Sequence, residues 1–133
     1  MERRLRNIEE SVDTIIQSFW KNGYLTLSRK YGTYLPNPPL VGDYEIDAIG
    51  KQRNKFAIGL VLSNEDLNDP TIYKKIEFLA SRQVKYSRKN VTLFIGIPQG
   101  AENKAKLIIR NLNPDLQKNI KFVPTPPSSA TYN

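Results

Sequence analysis

The chain has 133 residues, enough to bury one hydrophobic core and too few for two independent domains. With 39% hydrophobic and 25% charged residues and no apolar run near the roughly 18 to 20 residues of a membrane span, it reads as a globular cytoplasmic domain with no membrane partner. Cysteine and histidine are absent, which excludes disulfides, thiolate zinc sites, thiol nucleophiles and imidazole bases, and 20 Lys and Arg against 13 Asp and Glu give a formal charge of +7 that favours polyanionic partners, nucleic acid first.

From Leu5 the apolar residues Leu5, Ile8, Val12, Ile15, Ile16 and Phe19 recur in steps of three and four, which predicts a helix over 2–22 stopped by Gly23. Residues 24–30 alternate and are rich in β-formers, so they read as a strand. Pro36, Pro38 and Pro39 with Gly32 and Asn37 make 31–41 a loop. A second strand over 44–50 and a third over 55–63 are joined by the polar turn Lys51-Gln52-Arg53-Asn54, as in an antiparallel pair. On the third strand Phe56, Ile58, Leu60 and Leu62 share one face, and Ala57, Gly59, Val61 and Ser63 share the other.

Residues 64–70 read as a loop, with Asn68 or Asp69 capping the next helix and Pro70 in its first turn. That helix is expected over 71–87, with Ile72, Ile76, Leu79, Ala80 and Val84 inward. Lys75, Arg82 and Lys89 recur every seven residues along it, with Lys85 nearby, and such a ridge suits a phosphate backbone. Residues 91–98 are so continuously apolar that they predict a strand buried on both faces. Ala101, Ala105, Ile108, Ile109 and Leu112 mark a third helix, and 120–123 a short last strand. Beyond Pro124 little remains to bury, so one domain is expected over 1–124 and a disordered tail over 125–133.

The fold class is therefore α/β, in the order α-β-β-β-α-β-α-β, with a mixed central sheet flanked by helices. This order, together with Glu45-Ile46-Asp47-Ala48-Ile49, resembles the PD-(D/E)xK nuclease superfamily, the restriction endonuclease-like fold shared by archaeal Holliday-junction resolvases. The segment is close to that family's "EIDxI" second strand. The resemblance places Asp47 at the metal-binding aspartate, as a retained or vestigial catalytic residue. Glu45, two residues away on the same strand face, becomes a second candidate ligand, and Glu10 on the first helix a further catalytic acid. In the family a Glu-x-Lys pair follows on the next strand, its carboxylate helping to hold Mg²⁺ and its lysine activating water. The matching positions here, beginning twelve residues after Asp47, are Gly59 and Val61.

The resemblance thus implies a catalytically degenerate nuclease-fold protein, homodimeric like many relatives, that needs no cofactor and binds duplex or branched DNA. The basic surface is expected from Arg29, Lys30, Lys75, Arg82, Lys85 and Lys89. Two alternatives stand beside it. One is an active Mg²⁺- or Mn²⁺-dependent endonuclease or junction resolvase, whose missing groups have migrated to residues such as Glu77, Lys74 or Lys55. The other is an interaction subunit in which the small apolar Ala57-Gly59-Val61 face packs against a partner.

Overall fold

The computed structural model describes residues 2–83 and 91–126. Helix α1 (Glu2–Lys21) buries Val12, Ile15, Ile16 and Phe19, the stripe that its three- and four-residue spacing requires. Gly23 follows with φ 83°, a left-handed stop that glycine takes without strain.

Strand β1 (Leu25–Arg29) lies at the sheet edge and pairs antiparallel with β2 (Ala48–Gln52), which pairs antiparallel with β3 (Lys55–Val61). Arg53 and Asn54 alone turn the β2–β3 hairpin, a tighter connection than the four-residue turn expected, and Arg53 takes φ 52° to do so. Strands β4 (Thr92–Pro98) and β5 (Ile120–Thr125) extend the sheet in parallel, giving the order β1-β2-β3-β4-β5. The fold is an α/β domain with a five-stranded mixed sheet flanked by helices.

Two clusters fill the two faces. Val12, Ile15 and Phe19 of α1 pack on Tyr24, Ala48, Ala57 and Phe94. Against the opposite face pack α3 (Ile72–Ala80) and α4 (Glu102–Ile109) through Ile76, Leu79 and Ala105, over Ile58, Leu60, Leu93 and Ile95. The alternation expected for β3 and the two-sided burial expected for β4 follow from this three-layer packing.

Several boundaries differ from the sequence reading. β2 begins at Ala48, so Glu45, Ile46 and Asp47 precede the strand instead of forming its start. The segment 64–70 contains a short helix, α2 (Asn64–Asn68), nucleated by a capping box in which the Ser63 hydroxyl accepts the Asp66 N–H and the Asp66 carboxylate accepts the Ser63 N–H. Asp69 accepts the Thr71 N–H at 2.9 Å, holding the turn before α3.

Helix α3 ends at Ala80 and does not run on as a helix toward 87. The Ser81 hydroxyl and the Arg82 Nε both donate to the Phe78 carbonyl, while the Val91 N–H donates to the Arg82 carbonyl as the chain turns toward β4. Val84, Lys85 and Lys89 lie outside the described residues. The third expected helix is α4, which ends at Ile109 short of Leu112, and a further short helix, α5 (Pro114–Gln117), follows with Asn113 as its cap. β5 carries Pro124 and Thr125 into the sheet, where the buried Thr125 hydroxyl donates to the Ile97 carbonyl at 3.0 Å, so the domain extends past 124. Of the tail expected over 125–133, residues 127–133 lie outside the described residues.

Candidate functional site

The carboxyl ends of β1 and β3 and the approach to β2 bring together Lys30, Glu45 and Asp47. A turn at Gly42 (φ 61°), closed by the Val41–Tyr44 bridge, delivers this segment to the sheet. Asp47 is then held through its backbone on both sides, its N–H donating to the Gly59 carbonyl at 2.8 Å and its carbonyl accepting the Lys30 N–H at 2.9 Å. Its Oδ2 accepts the Val61 N–H at 2.7 Å. The side chain thereby serves as the acceptor for β3 at the point where β2, four residues later than expected, has not yet begun.

Lys30 Nζ stands 3.7 Å from Asp47 Oδ1 and 3.9 Å from Glu45 Oε1. Asp47 is only 8% exposed, and burial raises its carboxyl above the ordinary value of 3.8, against the opposing pull of the Val61 N–H, Lys30 and Lys75. Glu45 is exposed and Glu10 half-buried. Glu10 accepts the Thr14 hydroxyl on its backbone carbonyl, and no described hydrogen bond or ion pair joins its carboxylate to Asp47.

The position where the resemblance expects a second carboxylate is full. A Cβ built at Gly59 would lie 2.5 Å from Ile15 Cγ2, 3.2 Å from Ala48 Cβ and 3.3 Å from Phe19 Cζ. Val61 packs half-buried against the same cluster. The Ala57-Gly59-Val61 face is therefore covered largely by α1 of the same chain, with Val61 half-buried at its end. Among the described residues no three acidic side chains gather where they could hold a metal ion. A hard divalent ion needs about six oxygens, and Asp47, with one oxygen committed to an amide, and exposed Glu45 do not form such a cage. The residues present do not fit the metal that the resemblance implies.

Arg29, Lys30 and Arg82, among the basic residues expected to meet DNA, are engaged locally. Arg29 donates to Asp13 at 2.6 Å and to the Lys30 carbonyl at 3.1 Å. Arg82 stacks its guanidinium 3.9 Å from the Phe78 ring centre while capping α3. Because α3 has already ended, Lys75 and Arg82 do not stand on one helical ridge, and Lys85 and Lys89 lie outside the described residues. Lys51, Arg53 and Lys55, three cations within five residues at the hairpin, carried a signal that reading the segment as a plain polar turn missed. Compared with known proteins, the chain matches no family model, no curated protein and no solved structure.

Proposed function

We propose that this chain binds DNA on a nuclease-like scaffold without cleaving it. The observation that carries the absence of cleavage is the Ile15 methyl seated where a catalytic carboxylate at Gly59 would have to be. Asp47 supports the same reading, since its carboxylate terminates β3 through the Val61 amide. The α-β-β-β core, with Asp47, the one buried acid among the described residues, just ahead of β2, supports descent from a metal-dependent ancestor. DNA as the partner is supported by the charge of +7 and the wholly carboxylate-free strands.

The test incubates the protein with duplex, four-way-junction and single-stranded DNA in Mg²⁺ or Mn²⁺, alongside binding measured without metal. Salt-sensitive binding with no nicking on any substrate is the expected result. Mn²⁺-dependent nicking that Asp47→Ala abolishes would establish the endonuclease reading instead.

The β1 edge favours a second property, self-association. Leu25 and Leu27 are 72% and 44% exposed on this outermost strand, whose far end is covered where the Arg29 N–H donates to the Pro36 carbonyl. A strand from a second copy would satisfy the remaining edge groups and cover both leucines. Sedimentation should then give a dimer that Leu25→Lys with Leu27→Lys converts to a monomer.

A further inference from the structure

The cations left without acidic partners gather at the end of the sheet opposite Asp47. β1, β3, β4 and β5 all begin at that end, and the β2–β3 hairpin turns there. The Asn22–Gly23 turn after α1 links these pieces. Gln52 of the hairpin abuts Gly23, and Lys121 at the start of β5 donates to the Asn22 side chain at 3.3 Å. Lys21, Lys51, Arg53, Lys55 and Lys121 therefore share one end of the sheet, Lys121 on the Asn22 side chain and Lys51 over Phe56 on the face away from α1, and all five are exposed. Among the described residues none of them is in an ion pair. The strands and their start-end connections at 21–29, 48–63, 91–98 and 116–126 contain no Asp or Glu.

We propose that this basic end is a docking surface for the phosphate backbone of duplex DNA, separate from the Asp47 end. It rests on the DNA-binding reading and adds the place and mode of contact. The β2 strand sets the separation: six residues from Asp47 to Arg53 at about 3.3 Å each span about 20 Å. A surface of lysine and arginine tips without acids attracts polyanions by charge alone, and its rigid strand mounting keeps the cations in a fixed array. Tyr24 and Phe94 at this end are buried and Phe56 is half-buried beneath Lys51, which leaves exposed Trp20 to stack on an unpaired base against five exposed cations that suit phosphates. That favours duplex backbone over single strands and sequence-blind contact over base reading. Trp20 and Leu25, 65% and 72% exposed near the same end, are groups that an anionic membrane would also engage, so vesicles form one arm of the test.

Binding of a labelled duplex is measured by anisotropy across a salt series for the full chain, for Lys51→Gln/Arg53→Gln/Lys55→Gln and for Lys74→Gln/Lys75→Gln on α3. All the substituted side chains are exposed or half-buried, and circular dichroism checks that each variant folds. Five phosphate contacts give a slope of log K against log salt of about −4.5. The hairpin variant should lose about tenfold or more in affinity and about 2.7 of that slope, while the α3 variant stays within about twofold of wild type. If the α3 variant loses binding and the hairpin variant keeps it, the placement is overturned and the DNA-binding reading stands. If the wild type does not bind duplex at physiological salt, the DNA-binding reading fails and this inference fails with it. Binding to vesicles of anionic phospholipid without binding to DNA likewise overturns both.

Discussion

Asp47 is buried with one oxygen on a backbone amide and a lysine 3.7 Å from the other, yet its carboxyl is raised by burial. The sign of its effect on stability follows. Between the ordinary 3.8 and the raised native value the folded protein holds the proton more tightly than the unfolded chain. The contribution is therefore present below 3.8 and is lost as pH rises through the native value. Asp47→Asn keeps an acceptor for the Val61 N–H and removes the buried charge, so its stability at neutral pH should match or exceed the wild type and its pH profile should be flatter. Asp47→Ala strands the Val61 N–H and should cost about 1–3 kcal/mol by denaturant titration. If Asn is as damaging as Ala, the ionised form is required and the burial argument is wrong. The aspartate itself was legible in the "EIDAI" run. Its engagement was not, because which amide a carboxylate accepts depends on where β2 separates from β3, and no residue type encodes that separation alone.

At the scale of elements, the contact between α1 and the sheet decides what chemistry the scaffold admits. Gly59 lets Ile15 sit against β3, so Gly59→Ala should destabilise by about 1–3 kcal/mol through overpacking, and Gly59→Ala with Ile15→Ala should cost less than the two single changes added. Gly59→Glu would drive a charge under α1 and should exceed about 4 kcal/mol, so a restored nuclease motif fails by unfolding before it can be assayed. Ser63→Ala should cost about 1 kcal/mol by removing the α2 cap, read as a lower melting temperature. The apolar period of α1 and the two-sided burial of β4 were visible in the sequence because each depends on one element's own pattern. The early end of α3 was hidden, because the stripe Ile72, Ile76, Leu79, Ala80 continues in period to Val84 while the Ser81 and Arg82 side chains cap the helix at Phe78. The same misreading created a basic ridge on paper. The capping box at Ser63 and Asp66 was legible as Ser-x-x-Asp but straddled the boundary between the expected third strand and the loop over 64–70.

Across the whole molecule most charges flanking the strands are sorted by strand direction, and the exception, Asp115 ahead of β5, is paired with Lys118. None of the five strands holds an acid, and Glu45, Asp47, Glu65, Asp66 and Asp69 lie beyond the carboxyl ends of β1 and β3 or at the approach to β2. The opposite end collects Lys21, Lys51, Arg53, Lys55 and Lys121, exposed and without ion pairs among the described residues. Cations packed this way repel one another across low-dielectric protein as well as water, so the folded state bears a cost that screening should relieve. Raising salt from about 0.01 M to about 0.15 M shortens the screening length from about 30 Å to about 8 Å, which should raise the melting temperature. The Arg29–Asp13 pair and the Lys30 contacts would weaken under the same screening, but they are few and Asp47 is buried where salt acts least. The decisive comparison is Lys51→Gln/Arg53→Gln/Lys55→Gln, which should melt higher than wild type in low salt and gain less from added salt. Duplex DNA should reproduce that stabilisation in the wild type and not in the variant, since a ligand that neutralises the array favours the folded state by mass action. Equal salt responses in the two proteins would mean that the array bears no repulsion and that its charges are solvated one by one.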